Sequence, residues 1–352
     1  MSVLNKAQSC SHEIIVINGR FLGMQMTGVQ RYAYEIVQKL DSIVEQGRFE
    51  IAVPSYLKTN LTLKNIKMVP VGKLKNQLWE HISFPLYVKK RKAVPLNLCN
   101  VAPLLKPGIA TIHDVKIYAH PEFFSKKFIL WYKILFWNIK KRSDLIITVS
   151  DFSKKEIIKY CGIDENRIVV VPNGWQHYKR FVADMDVLNK YGLREKEYFF
   201  SMSSLDPNKN FKWIANIAKS NPLQNFVVAG GMNAKVFSQK MNFEKPENLK
   251  FLGYVCDGEA KALMQNSRAF LFPSFYEGFG IPPLEALSTG CPVVVSDIPV
   301  MHEVFGDSVH YIDPCDYEID LETLLNQPMS SVTSVLEKYC WKKSAEKLLN
   351  ML

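Results

Sequence analysis

The sequence predicts an α/β protein built from two domains with parallel sheets. Three observations carry that expectation. Short apolar runs alternate with amphipathic stretches along the chain, the pattern of buried strands each followed by a covering helix. The 352 residues amount to about two domains at roughly 100–200 residues each. Hydrophobic residues make up 47% of the chain, enough for packed cores and too many for a disordered polymer.

The elements follow in order. Residues 13–18 read as a first strand, 19–28 as a loop holding Gly19, Gly23 and Gly28, and 29–40 as a helix. Further strands are expected at 50–54, 108–112, 144–149 and 167–172. Ser150 has the chemistry of a helix N-cap before 152–160. In the second half, strands are expected at 198–202, 225–229, 249–253, 269–273 and 292–296, with helices at 211–219, 257–266 and 283–289. The polar stretch 173–197 marks a boundary. It divides an N-terminal domain (1–185) from a C-terminal one (186–333), and 334–352 has helical periodicity with no strand partner.

The net charge of +10 is unevenly spread. Residues 1–180 hold 28 Lys and Arg against 13 Asp and Glu, whereas 181–352 hold 16 against 21. The basic half is expected to meet something anionic: membrane headgroups, a lipid pyrophosphate or nucleic acid. The basic charge peaks over 58–92, with nine basic residues and one acidic. A second stretch, 123–142, mixes aromatics with lysines in the manner of an interfacial helix. A core helix with a solvated basic face fits that stretch equally. No recognised nucleic-acid motif accompanies the charge.

The seven cysteines form no CxxC pair and no Cys/His cluster of zinc spacing, so a reducing compartment and no structural metal are expected. The N-terminus lacks the pattern of a signal peptide, and no apolar run reaches the ~18 residues of a spanning helix. The expected location is cytoplasmic, with a peripheral contact on the inner face of the cell membrane. The loop after the first strand lacks the GxGxxG order of a dinucleotide site, which disfavours an oxidoreductase.

The most informative stretch follows the strand at 269–273. Glu277 falls in the strand-to-helix loop, Gly278 and Gly280 let the backbone approach a ligand, and Pro282 and Pro283 suit a helix start. Glu285 is expected in the first helical turn, facing the same crevice. Ligands of open α/β sheets bind beyond the carboxyl ends of strands, and a helix N-terminus there suits a diphosphate. Two carboxylates at that point make sense as acceptors for sugar hydroxyls. Without the glycines and prolines around them, the pair reads as a turn residue and a helix-dipole partner.

The segment resembles the Glu-x7-Glu signature of glycosyltransferase family 4, retaining enzymes of the GT-B fold. The match takes in Glu277-Gly278-Phe279-Gly280, the prolines, Glu285-Ala286, residues 290–296 and Glu303. The resemblance implies two facing Rossmann-like domains with a C-terminal crossover helix, for which Trp341–Glu346 is the match. It implies that Glu277, with the amides of Gly278, Phe279, Gly280 and Ile281, addresses the donor sugar, and that Glu285 addresses the ribose. Residues 203–210 are similar to the donor phosphate loop, which assigns Ser204, Asn208 and Lys209 to the donor, with Lys209 on the diphosphate. Asn208 stands where arginine is common, and Ser203 where some members carry a second arginine, so the phosphate clamp is expected to be thinner. Residues 23–32 resemble the family's first glycine loop. Thr27 and Gly28 then face the donor phosphates, and Arg31 an anionic acceptor unless it is simply a helix-surface residue. His113 matches the active-site histidine, implied to act in catalysis and to touch the acceptor, with Asp114 as its structural neighbour.

The resemblance extends to bacterial O-antigen and capsule mannosyl- and rhamnosyltransferases. It implies transfer of a hexose from a nucleotide diphosphate sugar, GDP-mannose or similar, to a saccharide acceptor linked to polyprenyl pyrophosphate, as in lipopolysaccharide and other surface polysaccharide synthesis. It also implies front-face attack with retention, no cofactor and no metal, the leaving charge being met by Lys209 and backbone amides. Two rivals are a sugar-nucleotide epimerase on the same fold and a degenerate transferase kept as a membrane or nucleic-acid binding module. Intact Glu277, Glu285 and Lys209 argue against degeneration.

Overall fold

The computed structural model describes residues 13–202, 206–230 and 245–352. They divide into two compact units, one running to Asn173 and including Cys340–Leu352, the other Gly174–Tyr339.

The first unit is built on seven strands: β1 (Ile15–Asn18), β2 (Phe49–Pro54), β3 (Lys67–Val71), β4 (Val94–Asn97), β5 (Ile109–Thr111), β6 (Ile146–Thr148) and β7 (Ile168–Val170). Their order is β3-β2-β1-β4-β5-β6-β7, and every pairing is parallel. Strand order therefore reverses between β1 and β4, which opens a crevice beyond their carboxyl ends. The longer helices are α1 (Gly28–Asp41), α2 (Phe84–Arg91), α3 (Lys126–Arg142) and α4 (Asp151–Cys161). Ser150 caps α4 as its chemistry predicts, its hydroxyl accepting from Ser153 N at 2.9 Å. One π-helical turn, Trp79–Ser83, precedes α2.

β3 and β4 escape the apolar-run reading because each contains a proline. β4 nonetheless lies mid-sheet, and its ladder explains how. The N–H of Val94 points to β1, bonding Ile14 O at 2.9 Å, so the missing N–H of Pro95 falls on the β5 side. Pairing with β5 begins only at Leu96, so no ladder bond is lost. The helix Trp341–Leu349 packs on α1: Trp341 and Tyr32 are both fully buried, ring centroids 6.0 Å apart.

The second unit repeats the plan with six strands: β8 (Tyr198–Met202), β9 (Asn225–Ala229), β10 (Leu249–Gly253), β11 (Ala269–Phe272), β12 (Val293–Ser296) and β13 (His310–Ile312). Their order, β10-β9-β8-β11-β12-β13, is again wholly parallel, with its reversal between β8 and β11. β13 is a three-residue edge strand, too short to register as an apolar run. Helices α5 (Phe211–Ser220), α6 (Asp257–Asn266), α7 (Ile281–Ser288) and α8 (Pro299–Phe305) flank this sheet. The core beside α5 is aromatic: Phe199 and Phe226 stack at 5.3 Å near the fully buried Trp213. Two parallel sheets with Rossmann-type order are thus what the alternating sequence pattern predicts.

Candidate active site

In the second unit, the crevice between the ends of β8 and β11 collects the residues expected there. After β8, Asp206 Oδ1 accepts from Asn208 N at 3.0 Å and starts a short turn, Pro207–Lys209. After β11, the chain turns at 273–280 before α7. Lys209 and Glu277 come from these two loops, 68 positions apart, and meet with Nζ–Oε1 at 2.5 Å. The ammonium also lies 5.0 Å from the centre of the Phe272 ring. Both side chains keep some solvent exposure, so an entering ligand can reach them.

Asn208 does something different from its neighbour. It is buried, and its Nδ2 donates to Tyr276 O at 2.7 Å while its backbone carbonyl accepts from Phe275 N at 2.9 Å. It staples the β8 loop to the β11 loop and so holds Lys209 opposite Glu277. Ser204 lies outside the described residues.

Gly280 is the N-cap of α7 at φ +104°, a conformation that L side chains avoid, and a Cβ there would press on the Met301 methyl at 3.2 Å. The side chains of Phe279 and Ile281 are buried, Phe279 edge-on against Tyr339 at 4.9 Å. What the 278–281 turn offers a ligand is therefore its backbone. Helix α7 begins at Ile281, two residues earlier than expected, because both prolines fit within the first turn, where no N–H is needed. Glu285 consequently falls in the second turn, not the first. It is buried, and its Oε1 accepts from His177 Nε2 at 2.7 Å. His177 is fully buried between Tyr178 and Phe181. Sequence reasoning missed this histidine because it sits in the polar stretch read as a boundary, 108 positions from its partner.

In the first unit, His113 follows β5 and is buried, its ring edge-on to Tyr32 at 4.9 Å. Its Nε2 lies 3.0 Å from Leu98 O, which makes Nε2 the donor, and its N–H bonds Asn100 Oδ1 at 2.7 Å. Burial holds its pKa below the ordinary value, so the ring is neutral. Asp114 Oδ1 accepts from Lys116 N, a local structural bond. Gly28 opens α1, and Thr27, its exposed N-cap residue, pairs its hydroxyl with Gln30 Oε1. Arg31 is half-buried, its backbone N bonding Thr27 O at 2.8 Å.

The crevice beyond β1 and β4 holds a pocket of about 150 Å³ lined by Asn18, Arg20, Thr27, Glu80, Asn100 and Tyr132, among others. Glu80, the single acidic residue of the basic stretch, is buried in the π-turn. Its Oε1 accepts from Asn18 Nδ2 at 2.8 Å and its Oε2 pairs with Arg20. Burial pushes its pKa up, against the pull of Arg20 and Asn18.

Helix α3 packs one side on the core and leaves large apolar side chains exposed on the other. Leu135, Phe136 and Ile139 face the core, while Leu130 (61% exposed) and Trp137 (59%) do not. Leu78, Ile82 and Leu86, four residues apart along the segment leading into α2, are also exposed, and the His81 and Trp131 rings meet at 5.6 Å between the two segments. Lys89, Lys90 and Arg91 end α2, and Lys140, Lys141 and Arg142 end α3. Among the described residues, no helix is long and apolar enough to cross a membrane, and no group of three or more His, Cys, Asp or Glu side chains is arranged to hold a metal ion.

Known proteins resemble this chain in sequence and in fold. Residues 187–328 match the family described as Glycosyl transferases group 1, and residues 93–176 match Glycosyltransferase Family 4. The O-antigen chain mannosyltransferase RfbU of Salmonella typhimurium is 28% identical over 323 residues, covering 86% of this chain and 87% of its own. The O-antigen chain mannosyltransferase B of Escherichia coli is 32% identical over 225 residues, 61% of this chain and 59% of its own. The UDP-Gal:alpha-D-GlcNAc-diphosphoundecaprenol alpha-1,3-galactosyltransferase of Escherichia coli is 28% identical over 264 residues, 70% and 67%. Among solved structures, sucrose-phosphate synthase from Thermosynechococcus elongatus superposes with a TM-score of 0.67 at 14% identity, over 97% of this chain and 93% of its own. WaaG, a glycosyltransferase involved in lipopolysaccharide biosynthesis, gives 0.65 at 15% identity, over 96% of both chains. At such identities, these two speak for the GT-B fold.

Proposed function

This chain belongs to the glycosyltransferases, and from that premise we propose that it moves a hexose, mannose in the first instance, from a nucleotide diphosphate sugar to a saccharide acceptor carried on a lipid diphosphate. The observation that carries the reading is the meeting of Lys209 and Glu277 at the β8/β11 crevice. In the donor complex, the diphosphate replaces Glu277 as the partner of Lys209. That frees the carboxylate to accept hydrogen bonds from the sugar. As the bond from the anomeric carbon to the diphosphate breaks, negative charge grows on the leaving oxygen, and the lysine ammonium and the 278–281 amides meet it without reorganising. The acceptor hydroxyl attacks from the same face and passes its proton to the leaving phosphate, so configuration is retained and no protein nucleophile or bound metal takes part. Glu285, steadied by His177, addresses the ribose.

Mannose is favoured by the similarity to RfbU and to O-antigen chain mannosyltransferase B, both mannosyltransferases. A lipid-linked acceptor is favoured by the galactosyltransferase relative and by the apolar, lysine-flanked surface of α2 and α3, which suits an anionic bilayer. The membrane contact is expected on the cytoplasmic side, in surface polysaccharide assembly.

The test is incubation of the full chain with GDP-mannose, UDP-sugars and dTDP-sugars, with and without diphosphate-linked lipid saccharides, following nucleotide release and product anomeric configuration by NMR. Transfer from one donor with retention is expected. Consumption of donor without any acceptor, giving an epimeric sugar nucleotide, would replace this reading with the epimerase. For the membrane contact, Leu130→Ser/Trp137→Ser should abolish salt-sensitive binding to vesicles rich in phosphatidylglycerol. Wild-type protein that ignores such vesicles at low salt would remove the contact from the account.

A further inference from the structure

The pocket beyond β1 and β4 has a chemistry unusual for this half of the chain. Glu80 is the one acid between Lys58 and Lys92, and it is 3% exposed. A single π-turn puts it there. The turn Trp79–Ser83 interrupts an α-helical path, so that Trp79 and Glu80, consecutive in sequence, both point inward. Such insertions cost regular hydrogen bonding and recur at functional sites.

Glu80 is held rigidly. Asn18 Nδ2 serves one oxygen and Arg20 the other, and Asn18 is itself fixed by Asn97 Oδ1 at 3.0 Å. Asn97 in turn donates to Pro107 O at 2.7 Å. A carboxylate offers about four acceptor positions and these partners occupy two, which leaves acceptor capacity on a side chain that lines the pocket. An aromatic wall comes from Tyr132 of α3, and a further amide from Asn100. A cavity of 150 Å³ holds one six-membered ring. A buried acceptor, a neighbouring guanidinium donor, amides and one aromatic face are the set that grips a pyranose by its hydroxyls and its C–H face.

We propose that this pocket binds one sugar ring of the acceptor, and that Glu80 is the residue that reads its hydroxyl pattern. The proposal rests on the glycosyltransferase reading and deepens it by naming the residue that selects the acceptor's sugar. A ring whose hydroxyls meet Glu80 is kept. An epimer that turns a hydroxyl away leaves a buried carboxylate short of a donor and is rejected.

The experiment uses the full chain without donor, and methyl α-D-mannopyranoside, methyl α-D-glucopyranoside and methyl α-D-galactopyranoside as probes, followed by saturation-transfer NMR. One glycoside should bind in preference to the others. Glu80→Gln, which keeps the side-chain volume, should weaken it about tenfold or more and erase the preference. Met24→Trp enlarges a lining side chain that is 43% exposed, and should abolish the signal while leaving the melting temperature unchanged. Both variants should keep the wild-type thermal shift with nucleotide sugar, and in steady-state transfer should raise the acceptor KM while leaving the donor KM unchanged. Equal binding of all three glycosides, binding unaltered in Met24→Trp, or an unaltered acceptor KM would overturn the assignment. Loss of every nucleotide-sugar response in the wild-type chain would instead strike the transferase reading, and the glycoside signals would still report on the pocket.

Discussion

Replacing His177 with alanine removes the partner of a carboxylate that is itself 6% exposed, on a residue that is 0% exposed. The lost bond is 2.7 Å long, and nothing in the surrounding Tyr178 and Phe181 rings replaces an imidazole N–H at that point. Breaking a buried pair from one side typically costs about 3–5 kcal/mol, most of it from the charge left behind. For a unit the size of Gly174–Tyr339, each kcal/mol moves the melting temperature by about 2–4 °C, so His177→Ala should lower its transition by roughly 6–20 °C. The origin of the loss can be separated with a double-mutant cycle. Glu285→Gln added to His177→Ala removes the stranded charge, so the pair should be less damaging than the two single effects together, with a coupling of about 2–3 kcal/mol. Differential scanning calorimetry reads both quantities. If Glu285 addresses the ribose, His177→Ala should also raise the donor KM more than it lowers kcat. A transition within about 3 °C of wild type, or strict additivity in the cycle, would refute the argument that His177 stabilises and aims Glu285.

Other outcomes follow from the same geometry. Lys209→Met should cut kcat with nucleotide sugar by about 10²–10³-fold at an unchanged melting temperature, read by nucleotide release. His81, His113 and His310 all have pKa values held down by burial. Each takes up a proton less readily in the folded protein than in the unfolded chain, where histidine titrates near 6.5, so stability should fall as pH drops below about 6.5. Glu80, whose pKa is raised, contributes the opposite slope above its ordinary 4.5. A melting series from pH 7.5 to 5 should show the net decline, and His113→Gln should flatten it. Trp341→Ala, at a fully buried position against Tyr32, should destabilise the first unit by about 3–5 kcal/mol, measured by denaturant titration.

Much of this architecture could be read from residue patterns, and the exceptions have identifiable causes. Strands such as β11 and β12 are uninterrupted apolar runs because they are buried on both faces, and a period-independent run is itself the signal. β4 is as central as they are, but Pro95 disguises it, and only the ladder geometry shows why proline is tolerated there. Lys209 and Glu277 were legible as site candidates because each sits in a loop directly after a strand, where the fold itself brings them together. Glu80 and His177 were not. A lone acid in a basic segment reads as solvated surface, and nothing local announces a π-turn. A histidine in a polar linker reads as a linker residue. Their meaning depends on partners 62 and 108 positions away, which no local pattern encodes.

The first unit is assembled from both ends of the described chain, since Trp341–Leu349 covers α1 only after the whole of Gly174–Tyr339 has been traversed. During synthesis, that ordering delays completion. Residues to Asn173 leave the ribosome early with the Tyr32 face of α1 uncovered, and at about 5–20 residues per second they wait many seconds for their last helix. The second unit, contiguous in sequence, has no such wait and can close before the first is finished. The nascent protein therefore passes through a stage in which a complete second unit accompanies a half-dressed first one. A chaperone that shields α1 during that interval would act on this stage and on no later one.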